Sequence, residues 1–394
     1  MDEMDEERLL VLCDVVGAEG GSESAMERYL PALQRAGLNV RVLARRVTDP
    51  ERFGVPARAL AWGDEYAEPS TGAAHAISAE IASERIGVVL CSNVFDVAVL
   101  DAARGARRCV VHVRDHRIFC PNGDRLFPSF SKPCEAPMGT ACLVNSVVHG
   151  CVYGPRSRTV QRLRARERTA AATRRCDAFV VSSRFMARLL ERNGVAAEKI
   201  HVLEPAIADG TVTGQIVPPP ALPRVLFAGR IVPAKGLRSL VRALARIPVE
   251  QRPALHVAGN ATPELGACTA LAKKLNVNVV ALGWCEGDAL TKAIDRVHMV
   301  VIPSLWPEPY GLLGIEAQAR GRPAVAYAVG GIPEWIGDAG ECARRGDEAA
   351  LARAIATVLD PSRWQAYSAA ARSRAATHDL TTFGERLKAI LCAS

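Results

Sequence analysis

"LLVLCDVVGAEGGSESAMERYLPALQRAGLNVRVLAR", residues 9–45, decides the fold. Leu9 to Val16 is an unbroken apolar run of strand length. A glycine-rich turn follows from Gly17 to Gly21, then a helical stretch from about Ser22 to Arg35 that stops at Gly37. Asn39 to Arg45 is the next strand. Strand, turn, helix, strand is a βαβ unit, and it implies a parallel sheet covered by helices.

Working outward, "IGVVLCS" (86–92), "RCVVHVR" (108–114), "DAFVVSS" (177–183) and "KIHVLEP" (199–205) read as further buried strands. Residues 206–223 lose all periodicity and contain "VPPPALP", the composition of a stiff linker. After it the pattern restarts. "RVLFAGR" (224–230) is a strand, "GLRSLVRALARI" a helix, and "ALHVAGN", "VNVVALGW", "HMVVIPS" and "PAVAYAVGG" four more strands with helices between them. The expected class is therefore α/β, two doubly wound Rossmann-like domains: 1–205, then the linker, then 224–377. Such sheets bind ligands beyond the carboxyl ends of their strands, so the expected site is the cleft between the two domains. Rigid packing without a functional cleft is the alternative. The end of the chain, "HDLTTFGERLKAIL", places Leu380, Phe383, Leu387, Ile390 and Leu391 on one broad helical face.

A chain of 394 residues is too long for one core, and 49% hydrophobic with 23% charged residues is a globular composition. No apolar run reaches the ~18 residues needed to span a bilayer. The acidic start, running directly into a strand, does not read as a signal peptide, so a cytoplasmic protein is expected. Twelve mostly scattered cysteines are a poor disulfide framework. The net charge of +7 suits anionic substrates or a membrane surface and is too weak to argue for nucleic acid.

Two stretches carry chemistry. In "FAGRIVPAKGLRSL" (227–240) a strand ends at Gly229, Arg230 and Lys235 occupy the following loop, and Gly236 opens a helix. Two cations beside free helix-start N–H groups suit an anion such as a diphosphate; otherwise both are solvated loop charges. In "SLWPEPYGLLGIEAQARGRP" (304–323) a proline-kinked loop feeds a helix at Gly311 and Leu312. Glu308 lies in the loop and Glu316 one to two turns into the helix. A phosphate at the helix start flanked by two carboxylates, which accept hydrogen bonds from sugar hydroxyls, describes a nucleotide sugar. The plain alternative is a loop charge and a helix-face charge.

"PSLWPEPYGLLGIEAQARGRPAVAYAVGGIPE" (303–334) closely resembles the donor-site motif of the retaining glycosyltransferases of family 4, which have the GT-B fold. "GRIVPAKGL" is similar to that family's pyrophosphate-binding segment, "GAEGGSE" (17–23) to its N-terminal glycine-rich loop, and "SSRFMARLLERNGVAAEKIHVLEPAI" to the end of its first domain. The resemblance covers nearly the whole chain and implies roles. Arg230 and Lys235 would neutralise the leaving diphosphate with the N–H groups of Gly311 and Leu312. Glu308 would hold the donor sugar, Glu316 the ribose, and Tyr310 belongs to the same donor motif. Gly21 would let backbone approach the diphosphate, while Gly330 and Gly331 would shape the loop beside it. The final helix, 378–394, would pack back on the N-terminal domain. The nucleotide sugar is a substrate; no metal and no cofactor are expected. The implied chemistry is sugar transfer with retention to a hydroxyl of a saccharide, lipid-linked or small-molecule acceptor. The rivals are a catalytically silent GT-B scaffold or sensor that binds a nucleotide sugar, and an epimerase of the same fold.

Relatives carry a His-Asp pair after the strand that begins "CVVHVRDHRIFCPNG" (109–123); here the pair reads Arg114-Asp115. Alternation puts His112 and Arg114 on one face, and His116 follows. His112 and Arg114 are the acceptor-side catalytic candidates, with His112 as a buried strand residue the alternative. Cys120, Cys134, Cys142 and Cys151 fall in a proline-rich segment, 120–151, that reads as a long irregular loop. Without a CxxC pair, a zinc staple, a redox-dependent disulfide and plain thiols stay open. "RSRTVQRLRARERTAAATRR" (156–175) has eight Arg and one Glu, with Val160, Leu163, Ala170 and Ala171 as a thin apolar stripe. It is either a face for anionic lipid, making the protein peripheral at the inner membrane face, or a solvated basic helix.

Overall fold

The computed structural model describes residues 7–17, 21–64, 66–128, 132–151, 158–207 and 218–393, without the side chains of 21–25. Most of the linker read over 206–223 lies outside the described residues. The chain forms two compact units: the first runs to Ala206 and resumes at Leu380, and the second is Ile207–Asp379.

Unit 1 is built on a seven-stranded sheet: β1 Arg8–Val16, β2 Asn39–Val47, β3 Ala57–Ala59, β4 Val88–Ser92, β5 Arg108–Val113, β6 Ala178–Val181 and β7 Ile200–Val202. The order is β3-β2-β1-β4-β5-β6-β7, parallel throughout. Strand order reverses between β1 and β4, so their carboxyl ends flank a switch-point crevice. Every residue of β4 and of β6 is buried, as strands covered on both faces must be. β3 was not anticipated: three half-exposed or exposed residues make no apolar run.

Two expectations for this unit need correction. The segment 120–151 is not wholly irregular. Its prolines stop at Pro137, and Thr140–His149 is a helix, closed by Gly150 in the left-handed region (φ 61°). The basic segment is helical over Thr159–Arg174 but is not a simply solvated helix: of the thin stripe only Val160 is exposed, and an arginine is buried. Thr159, Ala165, Arg166, Thr169, Ala170, Ala172 and Thr173 are its buried residues. Aromatic rings explain the buried arginine: the Arg166 guanidinium lies 5.1 Å from the Phe95 ring centroid and 5.5 Å from that of Tyr66.

The last helix, Leu380–Cys392, belongs to unit 1 and packs on the helix Gly21–Arg35. Phe383 stacks on Tyr29 with centroids 4.1 Å apart. Lys388 Nζ donates to the Ala36 carbonyl at 2.6 Å, and Gly384 brings the two backbones together at Ala32.

Unit 2 has six strands: β8 Arg224–Ala228, β9 Ala254–Ala258, β10 Val279–Gly283, β11 Met299–Ile302, β12 Ala324–Tyr327 and β13 Gly340–Ala343. The order is β10-β9-β8-β11-β12-β13, again all parallel. Its switch point lies between β8 and β11. Leu226, Leu240, Val300, Ile315, Val325 and Leu351 are among the fully buried residues that join sheet and helices into one core. β13, a four-residue edge strand beginning at a glycine, was also not anticipated.

Candidate functional site

In unit 2 the loops leaving β8 and β11 meet at the switch point. They are stitched together by backbone: Leu305 N donates to the Ala234 carbonyl at 2.8 Å, and Trp306 N to the same oxygen at 3.3 Å. Close approach there depends on Gly236, whose φ is 75° and whose added Cβ would sit 2.9 Å from the Pro303 carbonyl carbon. The stitching brings Lys235 to Glu308. Lys235 Nζ lies 2.6 Å from Glu308 Oε1 and 4.9 Å from the Trp306 ring centroid. The Ser304 hydroxyl donates to the same carboxylate oxygen. Arg230 is exposed on the β8 loop.

Glu308 is 6% exposed. Burial pushes its carboxyl up, but the Lys235 charge and hydrogen bond, with Ser304 and Trp306, outweigh burial and hold it below the ordinary carboxylate range. It is therefore an ionised carboxylate at neutral pH. Gly330 and Gly331 buttress it. Gly331 N donates to the Glu308 carbonyl at 2.8 Å, and a Cβ on Gly330 (φ 59°) would lie 2.6 Å from Glu308 N.

Gly311, with φ 104°, precedes the helix Leu312–Ala319, whose first turn leaves N–H groups without helical partners. Glu316 is half-buried on that helix. The Tyr310 ring is buried, with the Trp335 and His378 rings 6.5 and 6.1 Å away, and its carbonyl accepts from Trp335 Nε1 at 2.6 Å. The structure thus joins Lys235, Glu308 and Ser304 directly and sets Arg230, Gly311 and Leu312 on the same two loops. Ser304 was missed by sequence reasoning; it lies four residues before Glu308, and nothing in its spacing marks it.

At the carboxyl edge of unit 1, Gly21 is the first residue of the helix after β1, and the glycine-rich loop at 18–20 before it lies outside the described residues. His112, in β5, is 7% exposed, with the Tyr29 ring 5.9 Å away. Burial, helped by the Arg114 charge, pulls its pKa down to about 3, so the ring is neutral. Arg114 is half-buried just past β5, and Asp115 accepts from Arg117 N and Nε, each at 2.8 Å. His116 is buried, its ring edge-on to Phe185.

The register adds two residues that sequence reasoning missed. Ser92, the last residue of β4, stands opposite His112 of β5. Ser92 and Asn93 are both buried, and Asn93 has a φ of 57°. Ser92 Oγ, Asn93 Nδ2 and His112 Nδ1 have no hydrogen-bond partner among the described residues. Three such atoms at the ends of two adjacent strands are unusual, because buried polar groups are normally satisfied. Among the described residues, no three His, Cys, Asp or Glu side chains stand together at metal-ligand spacing.

Known proteins resemble this arrangement. Residues 19–211 match the model described as Glycosyltransferase Family 4, and residues 222–361 that of Glycosyl transferases group 1. An alpha-maltose-1-phosphate synthase of Mycobacterium tuberculosis is 32% identical over 198 residues, 46% of this chain and 50% of that protein. D-inositol 3-phosphate glycosyltransferase 1 of Catenulispora acidiphila is 30% identical over 226 residues, 52% of this chain and 54% of that one. The match thus spans about half the length of these curated relatives. Anabaena HepE, solved in complex with UDP, has a TM-score of 0.73 at 17% identity, over 98% of this chain and 100% of that one. That likeness is one of fold.

Proposed function

The chain belongs to glycosyltransferase family 4 and has the GT-B fold, and we propose that it is a retaining glycosyltransferase that moves a sugar from a nucleotide donor to an acceptor hydroxyl. The Lys235–Glu308 pair at the β8/β11 switch point carries the reading. A carboxylate kept ionised inside a wall, beside a cation at a strand-end crevice, suits a ligand with both hydroxyls and phosphates.

In this reading unit 2 holds the donor. Lys235 and Arg230 compensate the diphosphate, with the free N–H groups at Gly311 and Leu312. Glu308 accepts hydrogen bonds from the sugar and Glu316 from the ribose. These cations and dipoles supply the compensation that a metal ion supplies elsewhere. During transfer the anomeric C–O bond breaks and the leaving diphosphate takes its electron pair. The acceptor oxygen bonds to the same face of the sugar, and its proton passes to a diphosphate oxygen. Unit 1 supplies the acceptor groups, with His112, Arg114, Ser92 and Asn93 as the candidates.

We assign the acceptor to a saccharide or a lipid-linked saccharide, taken at the cytoplasmic face of an anionic membrane. Leu143, Val144, Val147 and Val148 are exposed on the helix Thr140–His149, which packs against the arginine-rich helix Thr159–Arg174. An apolar ridge beside a basic one matches a headgroup surface. Val144→Glu with Val147→Glu should abolish co-sedimentation with vesicles containing phosphatidylglycerol; unchanged binding overturns the membrane assignment.

The functional test is incubation with a panel of nucleotide sugars and hydroxyl acceptors, scoring free nucleotide and the anomeric configuration of the product. Release with retention supports the reading. Tight donor binding without turnover would make the protein a nucleotide-sugar sensor or scaffold instead.

A further inference from the structure

The segment 120–151 stands outside the chemistry above, and its four cysteines come from separate stretches of it. Cys120 follows β5, Cys134 lies beyond a turn, Cys142 is in the first half of the helix Thr140–His149, and Cys151 follows that helix. All four nevertheless line one cavity of about 30 Å³, with Phe119, Asn122, Arg125 and Leu126 in its wall. That volume exceeds what one water needs and would also admit a metal ion. Backbone hydrogen bonds shape the wall: Cys134 N donates to the Arg125 carbonyl at 2.7 Å and Gly123 N to the Cys120 carbonyl at 3.0 Å. The Asn122 amide donates to the Cys151 carbonyl.

The helix poses the physical problem. It has ten residues, too few to be stable alone. Its buried residues are Cys142 and Ser146, while Leu143, Val144, Val147 and Val148 face outward. Apart from the His149 ring, 4.5 Å from that of Phe127, hydrophobic burial therefore does little to hold it to the domain. What it offers inward is a thiol, beside three others. The contrast with Cys91, Cys109 and Cys176 is instructive. Those three are fully buried in the sheet core, with sulfurs 4.0 and 3.6 Å apart, and act as small apolar residues. Cys120, Cys134 and Cys151 are instead half-exposed, within reach of solutes.

We propose that Cys120, Cys134, Cys142 and Cys151 form a tetrahedral four-thiolate site for a zinc-class divalent cation, which staples the helix Thr140–His149 to unit 1. The four sulfurs are not at ligand spacing as they stand. A cysteine sulfur travels about 3 Å between staggered rotamers, enough to close a cavity of this size onto bonds of about 2.3 Å. Each thiol gives its proton to solvent as its sulfur binds the cation, so no oxidant is required. Four thiolates around a divalent cation carry a net charge of −2. Arg125, in the cavity wall and 5% exposed, supplies a buried positive charge against it, its guanidinium held by the Ala136 carbonyl at 3.0 Å. The staple is structural, and it holds the apolar ridge outward whether or not the protein transfers sugar.

The test uses the full chain, purified without chelator. Elemental analysis should find one zinc per chain, and exchange to Co²⁺ should give the visible bands of tetrahedral thiolate cobalt. Cys134→Ser and Cys142→Ser should each lose the metal, while Cys285→Ser keeps it. Chelation of the wild-type protein should raise hydrogen exchange at residues 140–149 and free four titratable thiols. Absent metal with four free thiols, disulfides among these cysteines in a non-reduced peptide map, iron with acid-labile sulfide, or full zinc content in Cys134→Ser would each overturn the proposal.

Discussion

The two switch points, built on the same strand order, are furnished in opposite ways. In unit 2 the crevice holds opposite charges already paired, Lys235 against Glu308 with Ser304, on loops stitched by backbone hydrogen bonds. In unit 1 the ends of β4 and β5 carry neutral polar atoms with no partner among the described residues, on Ser92, Asn93 and a His112 that burial keeps unprotonated, with the charges of Arg114 and the Asp115–Arg117 pair on the loop just past β5. A charged, pre-assembled edge suits a ligand whose phosphates never vary, because the dipoles need no reorganisation when it arrives. An edge of unsatisfied neutral donors and acceptors suits a polyhydroxyl ligand that supplies the missing partners. The fold provides the crevice twice, and the side chains divide the labour.

Lys235→Ala should break this contrast most severely. Transfer should fall about 100-fold or more, the scale of one lost electrostatic stabiliser. Stability should also fall, by on the order of 3 kcal/mol, because a buried carboxylate loses its partner. Adding Glu308→Gln should restore much of the stability without restoring transfer. Chemical denaturation and initial rates on the same three proteins check both halves.

Gly330→Ala comes next. The position has φ 59°, and its new Cβ would collide with the Glu308 backbone. A loss on the order of 2 kcal/mol is expected, read by denaturant midpoint, with donor binding weakened in parallel. A neutral outcome would mean that Glu308 does not depend on its buttress.

His112 sharpens the unit 1 side. Its folded pKa of about 3 lies below the ordinary 6.5. Between those values the unfolded chain binds more protons than the folded one. Its contribution to stability is therefore complete above pH 6.5 and is lost as pH falls toward 3. Stability measured from pH 7 to pH 4 should decline less steeply in His112→Gln than in the wild type, by at most about 1.4 kcal/mol per pH unit. Parallel curves would show that folding does not lower the His112 pKa.

The smallest effect is the most discriminating. Ser92→Ala removes a buried hydroxyl that has no partner among the described residues, so stability should hold or rise by up to about 1 kcal/mol. If the hydroxyl serves the acceptor, the acceptor KM should rise several-fold while the donor KM stays put. An unchanged acceptor KM would make Ser92 a packing residue.

Much of this was legible in the chain. Apolar runs marked most of the strands, and the proline- and glycine-punctuated loops put Lys235 and Glu308 beside helix starts, where a cation suits a diphosphate and a carboxylate suits sugar hydroxyls. β3 and β13 were not legible, since "ARA" and "GECA" lack the branched apolar residues that mark a strand. Ser92 and Asn93 were not either. Ser92 closes an apolar strand and Asn93 follows it, with nothing in the pattern to mark either; the register sets Ser92 opposite His112, and both side chains are buried. The basic helix misled for a related reason: hydropathy assigns every arginine to solvent, whereas Arg166 turns inward onto Phe95 and Tyr66.

Calorimetric titration of nucleoside diphosphates and their sugar conjugates into the wild-type protein and Lys235→Ala tests the division of labour most directly. At least one conjugate should bind the wild type and stabilise it by about 2.7 kcal/mol at a hundred times its Kd. Lys235→Ala should bind that conjugate at least tenfold more weakly, while Ser92→Ala binds it as the wild type does. Failure of every conjugate to bind, or equal affinity for Lys235→Ala, would contradict it.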